Sequence, residues 1–231
     1  MNDAARGRNA ASAARAVLFD LDGTLLDTAP DMVGALNELR QAERLDPLPL
    51  DAVRPFVSHG AKALVRVGFP QASGAAFEAL RVRFLELYRA RVALETRVYE
   101  GLEPALAHLE VVGIPWGIVT NKPGWLTEPV LASLGLARRA GVIVSGDTLA
   151  QRKPDPAPLL YAADKLGAPP AACIYVGDAE RDVLAGRSAG MRVFVALYGY
   201  IPADERPLEW PASGWLASPR ELAQWLELLR P

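Results

Sequence analysis

The sequence is poor in the residues that build covalent cross-links or soft-metal sites: it holds one cysteine, Cys173, and two histidines, His59 and His108. A single cysteine excludes an intrachain disulfide, makes a thiolate zinc site untenable and suits a reducing compartment, so a cytoplasmic protein is expected. Long apolar runs are missing as well. Gly, Pro or charge interrupts each stretch before the ~18 residues that a spanning helix needs, so no membrane partner is expected. Neither sign of charge dominates: 25 Lys+Arg stand against 27 Asp+Glu, a formal net charge of −2. Such a chain has no global field for nucleic acid, and any phosphate-handling site must be built locally. Residues 1–15 are rich in Ala and Arg, carry Asp3 and lack an apolar core, which predicts an N-terminal extension rather than a secretory signal.

What remains is an ordinary globular composition, 51% hydrophobic and 23% charged over 231 residues, long enough for one large domain or a core with an insert. Ala16-Val17-Leu18-Phe19 is an apolar run ending at Asp20, and similar runs end in polar residues at Trp116 to Thr120, Val142 to Ser145 and Ile174 to Asp178. They read as parallel strands buried on both faces. Helical patterns follow the last three, at Leu126 to Leu134, Pro158 to Leu166 and Glu180 to Ala189. Alternation of this kind predicts an α/β fold with a doubly wound parallel sheet. Between Asp27 and Glu100 the strand pattern stops and helices are expected over about 31–44, 58–67 and 74–95. Phe77, Leu80, Phe84, Leu87, Tyr88 and Arg91 form a stripe read as core-facing. The predicted organisation is an extension (1–15), a core (16–26 and 101–231) and a helical insert (27–100) above the carboxyl ends of the strands.

Asp20-Leu21-Asp22-Gly23-Thr24 sends two carboxylates off the first strand at a glycine turn. Taken alone it is a turn. Thr120-Asn121, Lys153-Pro154 and Gly177-Asp178 with Asp182 stand at other strand ends, and a parallel sheet gathers such ends into one crevice. Several carboxylates around one lysine need a shared cation, and an all-oxygen donor set points to Mg²⁺. The cation, Lys153 and the Thr120 hydroxyl together suit phosphoryl oxygens.

In this order, DLDGT, VTN, Lys153 and GDAERD resemble the four motifs of the haloacid dehalogenase superfamily, with a Rossmann-like core and, at the position of the insert, a helical cap. The resemblance implies a Mg²⁺-dependent phosphomonoester hydrolase. Asp20 would be the nucleophile, forming an aspartyl-phosphate, and Asp22 the general acid and then base. Asp20, Asp178 and the Asp22 carbonyl would hold the metal, Asp182 would anchor them, and Thr120, Asn121 and Lys153 would fix the phosphoryl group. An acid at Asp22 favours phosphoryl over dehalogenase chemistry, and Met32 stands where the mutase branch places a linker histidine.

Closer similarity is to the phosphoglycolate phosphatase branch, through Asp27-Thr28-Ala29-Pro30, Val119-Thr120-Asn121-Lys122-Pro123, Lys153-Pro154-Asp155-Pro156 and Tyr198-Gly199-Tyr200. The N-acetylmuramic acid 6-phosphate phosphatase branch is also similar, through Tyr198 to Ile201 and Trp210. The expected partner is thus a small phosphorylated metabolite, and the sequence does not fix the oligomeric state. A non-enzyme alternative is a receiver-like phospho-aspartate switch. In the cap, Ser58, His59, Gly60 and Lys62 read equally as a carboxylate-binding patch at a helix start or as a simple N-cap with solvated neighbours. Arg66, His108, Arg181, Trp116 and Trp225 are assigned no chemistry, and Cys173 reads as a small buried hydrophobe.

Overall fold

In the computed structural model, residues 14–230 are described. Most of the expected extension lies outside that range, but Ala14 is fully buried and the Arg15 N–H donates to the Ala172 carbonyl at 2.8 Å. Ala14 thus packs in the core, and exposed Arg15 is tied to it through its backbone.

Strand β1 (Ala16–Phe19) is short and wholly buried because its side chains alternate between two apolar layers. Val17 and Phe19 join one cluster with Trp116, Ile118 and Val176, while Ala16 and Leu18 join another with Cys173, Tyr175 and Val193. Both layers need helices over them. The remaining strands are β2 (Leu26–Asp27), β3 (Arg97–Val98), β4 (Trp116–Val119), β5 (Val142–Val144), β6 (Cys173–Gly177), β7 (Arg192–Ala196) and β8 (Gly214–Leu216). Six form one sheet in the order β5-β4-β1-β6-β7-β8, every pair parallel. β1 is thus flanked by strands reached through crossovers in opposite directions, the switch point where an open α/β sheet leaves a crevice. Register pairs Phe19 with Ile118 and with Val176, which brings Asp20, Thr120 and Asp178 to one edge.

Between β2 and β3 run α1 (Ala29–Ala42), a short α2 (Leu50–Val53), a 3₁₀ turn (Arg54–His59), α3 (Gly60–Gly68) and α4 (Gly74–Arg91). They share their own apolar core, including Leu36, Leu64, Phe84 and Tyr88. β2 and β3 pair antiparallel, closing the two connections into a small ribbon that the sequence pattern does not reveal. Asp31 ties the return crossing down: its buried carboxylate accepts the Glu95 N–H, the Thr96 N–H and the Thr96 hydroxyl. The sheet is flanked by α5 (Leu102–Val111), α6 (Gly124–Ser133), α7 (Ala157–Lys165), α8 (Glu180–Ser188) and α9 (Pro219–Leu226). Cys173 and Trp116 are buried as expected. Among the described residues, no helix is long and apolar enough to cross a membrane.

Candidate active site

Asp20, one residue past β1, Asp178, one residue past β6, and Asp182 in the first turn of α8 each offer a carboxylate oxygen within 4.8 Å of the others. All three are buried. Lys153 enters from the loop before α7, with its ammonium 2.9 Å from Asp20 Oδ1 and 2.7 Å from Asp182 Oδ1. It also donates to the Val119 carbonyl at 2.8 Å and the Tyr175 hydroxyl at 2.7 Å.

The three carboxylates differ in what holds them. Asp182 accepts from the Tyr175 hydroxyl at 3.1 Å and the Ala179 N–H at 3.0 Å, the latter being half of a capping box at the start of α8. Burial pushes its pKa up, but Lys153 and Arg181 more than reverse this and hold it below the usual range. Asp178 moves the other way, well above that range, because burial and the charges of Asp20 and Asp182 all oppose its ionisation. Burial also raises Asp20, against the pull of Lys153. Asp178 Oδ1 is buried with no hydrogen-bond donor among the described residues, and buried Asp20 Oδ1 meets only the Lys153 ammonium. A divalent cation fits: the three carboxylates converge, Asp178 Oδ1 has no donor of its own among the described residues, and the available ligand atoms are all oxygen. Gly23 (φ +84°) and Gly199 let the backbone pass close to Asp178, since a Cβ at either would collide with that carboxylate.

Asp22 lies on the turn beyond Asp20, and both of its carboxylate oxygens face the Lys122 ammonium, at 3.0 and 3.2 Å. Lys122 also donates to the Tyr88 hydroxyl, reaching across from α4 at 2.7 Å. Burial would weaken the Lys122 charge, but Asp22 and Tyr88 outweigh it and hold the ammonium above its usual pKa. Burial raises Tyr88 to about 12. Sequence reasoning missed both residues as site groups, reading Tyr88 as core stripe and Lys122 as part of a motif. Thr120 is buried beside them and its Oγ1 accepts the Lys122 N–H at 3.2 Å. The Asn121 side chain instead braces the Lys153 loop, donating to the Lys153 carbonyl at 2.9 Å and accepting its N–H at 3.1 Å.

The patch from Ser58 to Lys62 stands at a helix start, but Ser58 is not its cap. Ser58 lies in the 3₁₀ turn, α3 begins at Gly60, and no side chain caps it. Ser58 Oγ donates instead to Asp178 Oδ2 at 2.7 Å and lies 3.2 Å from the Asp22 carbonyl. His59 is not merely solvated, since its Nε2 is 3.0 Å from Glu205 Oε1 in the core. Gly60 takes φ +74° at the turn into α3. Arg181, assigned nothing from sequence, donates to the Ser58 carbonyl at 2.8 Å, and its charge is reinforced by Asp182, Asp20 and Asp178 against the cost of burial. Arg66 stacks over Phe77 at 4.5 Å and His108 lies against the Leu229 carbonyl, both away from the site.

A cavity of about 330 Å³ opens over Asp20 and Asp22. Met32, Val57, Leu85 and Leu126 give it an apolar side, and Lys62, Arg81 and Arg152 line it as well. Among the described residues, Lys62 and Arg152 have no carboxylate or hydrogen-bonding partner, and the lining carboxylates are those of Asp20 and Asp22.

The family model for haloacid dehalogenase-like hydrolases matches residues 14–190. The chain belongs to this family. Haloacid dehalogenase-like relatives include a phosphoglycolate phosphatase of Xanthomonas campestris pv. campestris, 47% identical over 90% of this chain and 94% of that protein. An N-acetylmuramic acid 6-phosphate phosphatase of Pseudomonas aeruginosa is 42% identical over 92% of this chain and 95% of its own. The fold matches the crystal structure of a predicted phosphoglycolate phosphatase from Haemophilus somnus 129PT with a TM-score of 0.81, at 24% identity over 92% of this chain and 98% of that one. This haloacid dehalogenase-like hydrolase is therefore an enzyme of the phosphatase class, and the receiver-like switch has no support.

Proposed function

We propose that the protein is a Mg²⁺-dependent phosphomonoester hydrolase acting on a small anionic metabolite, phosphoglycolate foremost. The observation that carries this reading is the buried convergence of Asp20, Asp178 and Asp182 around Lys153, with Asp20 opening into the cavity and Asp178 Oδ1 left without a donor among the described residues. Asp20, Asp178 and the Asp22 carbonyl would hold the cation, with Asp182 anchoring the group through Lys153 and Tyr175. A bound cation neutralises charge between these carboxylates and the phosphoryl oxygens.

Asp20 supplies an oxygen that bonds to phosphorus, and the bond from phosphorus to the leaving oxygen breaks. Asp22 gives that oxygen a proton, so the alcohol departs neutral and an aspartyl-phosphate remains on Asp20. Water then loses a proton to Asp22 and attacks phosphorus, which restores the Asp20 carboxylate and releases phosphate. Lys153, Thr120 and the backbone around Asn121 orient the phosphoryl group in both halves. The helices of residues 29–91 act as a cap that keeps bulk water from the intermediate.

The unpaired Lys62 and Arg152 beside the cavity support a second anionic group on the substrate. The 47% identical phosphoglycolate phosphatase supports the two-carbon acid as that substrate. The apolar wall of Met32, Val57, Leu85 and Leu126, with the 42% identical relative, supports N-acetylmuramic acid 6-phosphate as the second reading. The deciding measurement is kcat/KM for both compounds, with and without Mg²⁺, with Asp20→Asn as the blank. A preference for phosphoglycolate bears the first reading out, and a preference for the amino sugar replaces it with the second. Hydrolysis of neither, while an aryl phosphate is cleaved, overturns both substrates and leaves the chemistry.

A further inference from the structure

Lys122 stands between the core and α4 with its side chain 4% exposed. An ammonium carries three N–H donors. Here they meet three acceptors, the two Asp22 carboxylate oxygens and the Tyr88 hydroxyl. No donor is left for a substrate anion, in contrast to Lys62 and Arg152. We propose that Lys122 and Tyr88 are positioning residues for Asp22, and that α4 completes this arrangement from the cap side; the inference rests on the reading of Asp22 as acid and base.

One cation bound to both oxygens restrains rotation of the Asp22 carboxylate more than a single hydrogen bond would, and burial strengthens the contact. The same burial strips water from the ammonium, so the third donor needs a protein acceptor. Tyr88 supplies it. Its ring is fully buried, stacks on Phe84 with centroids 6.3 Å apart, and lies with its centroid 4.6 Å from the ammonium. Tyr88 therefore contributes an oxygen and a π face that water would have to replace if α4 moved away. Lys122 and Asp22 lie 100 residues apart in sequence, and Lys122 and Tyr88 lie 34 apart. Three separate segments must meet before the acid is held, and one of them is the cap.

The test is kcat and KM for a small alkyl phosphate and for 4-nitrophenyl phosphate, at saturating Mg²⁺, in full-length Tyr88→Phe, Lys122→Met and the double variant, each checked for folding by circular dichroism. The aryl leaving group needs no proton, so loss of a held acid falls on the alkyl ester. Lys122→Met is expected to lower kcat on the alkyl ester at least about tenfold more than on the aryl ester. Tyr88→Phe keeps the ring and is expected to show a smaller loss of the same selectivity, with KM nearly unchanged. The second substitution should then add almost nothing to the first. Equal losses on both esters, a rise in KM alone in Tyr88→Phe, or additive losses in the double variant overturn the inference. Should Lys122→Met not fold, Tyr88→Phe decides by the same ratio. Turnover persisting in Asp20→Asn would instead sink the proposed function itself, whereas a dead blank with no selective loss sinks only this inference.

Discussion

The floor and the wall of the cavity are built on different principles. The floor is Asp20, with Asp178, Asp182 and Lys153 clustered behind it, all four buried. On the wall, Lys62 and Arg152 are exposed and unpaired among the described residues, while Ser58 and Tyr88 lean from the cap onto core groups. Buried charges at fixed positions suit chemistry that is the same for every substrate, because they need no reorganisation as charge develops. Exposed charges on helices and loops suit recognition, where the partner varies and water screens each contact.

The sharpest break in that contrast is Asp20→Asn, which removes the attacking oxyanion with little change of volume and should lower kcat on every substrate by at least about three orders of magnitude. Steady-state assays on an alkyl and an aryl phosphate check it, and a wall-type result, with one substrate spared, would end the distinction. Next is Asp22→Asn, expected to cost about 10²–10⁴ in kcat on alkyl phosphates and much less on activated aryl phosphates. A Brønsted plot over leaving groups reads this directly.

Within the floor, Asp178 and Asp182 should respond to pH with opposite signs. The raised pKa of Asp178 means its contribution to stability is full below the ordinary carboxylate pKa and is lost as pH rises through the folded value. The lowered pKa of Asp182 means its contribution is present above the unfolded value and is lost as pH falls through the folded one. Asp178→Asn should therefore raise the Tm of chelated protein near neutral pH by at least about 2 °C while abolishing activation by Mg²⁺. Melting curves against pH in a chelator would expose a flat or lowered Tm, which contradicts the repulsion argument. The smallest effects belong to the wall: Lys62→Ala and Arg152→Ala should each raise KM for a carboxylate-bearing phosphate about three- to tenfold and change 4-nitrophenyl phosphate less. Equal effects on the two substrates would return both residues to the solvated surface.

The same contrast separates what could be read in the chain from what could not. Asp20, Thr120 and Asp178 follow apolar runs, so a local pattern and the rule that parallel strands end together suffice to gather them. The two-stranded ribbon of β2 and β3 leaves no such trace, because Leu26-Asp27 and Arg97-Val98 are too short for periodicity to register. Ser58 illustrates the limit for side chains. From sequence it is an N-cap or part of a ligand patch, and in the fold it donates to Asp178, 120 residues away. Arg181 reaches Ser58 over 123 residues, and the Tyr200 hydroxyl takes the Thr28 N–H over 172.

By itself, the sequence determined the alternating strands and helices, the sheet buried on both faces and the acidic strand ends, since burial on a strand shows in the next few residues. Only the tertiary structure decided which cations are saturated and which are free, and which cap residues touch the floor. Those outcomes depend on how donors and acceptors far apart in the chain pair off once water is excluded, and no local pattern encodes that pairing.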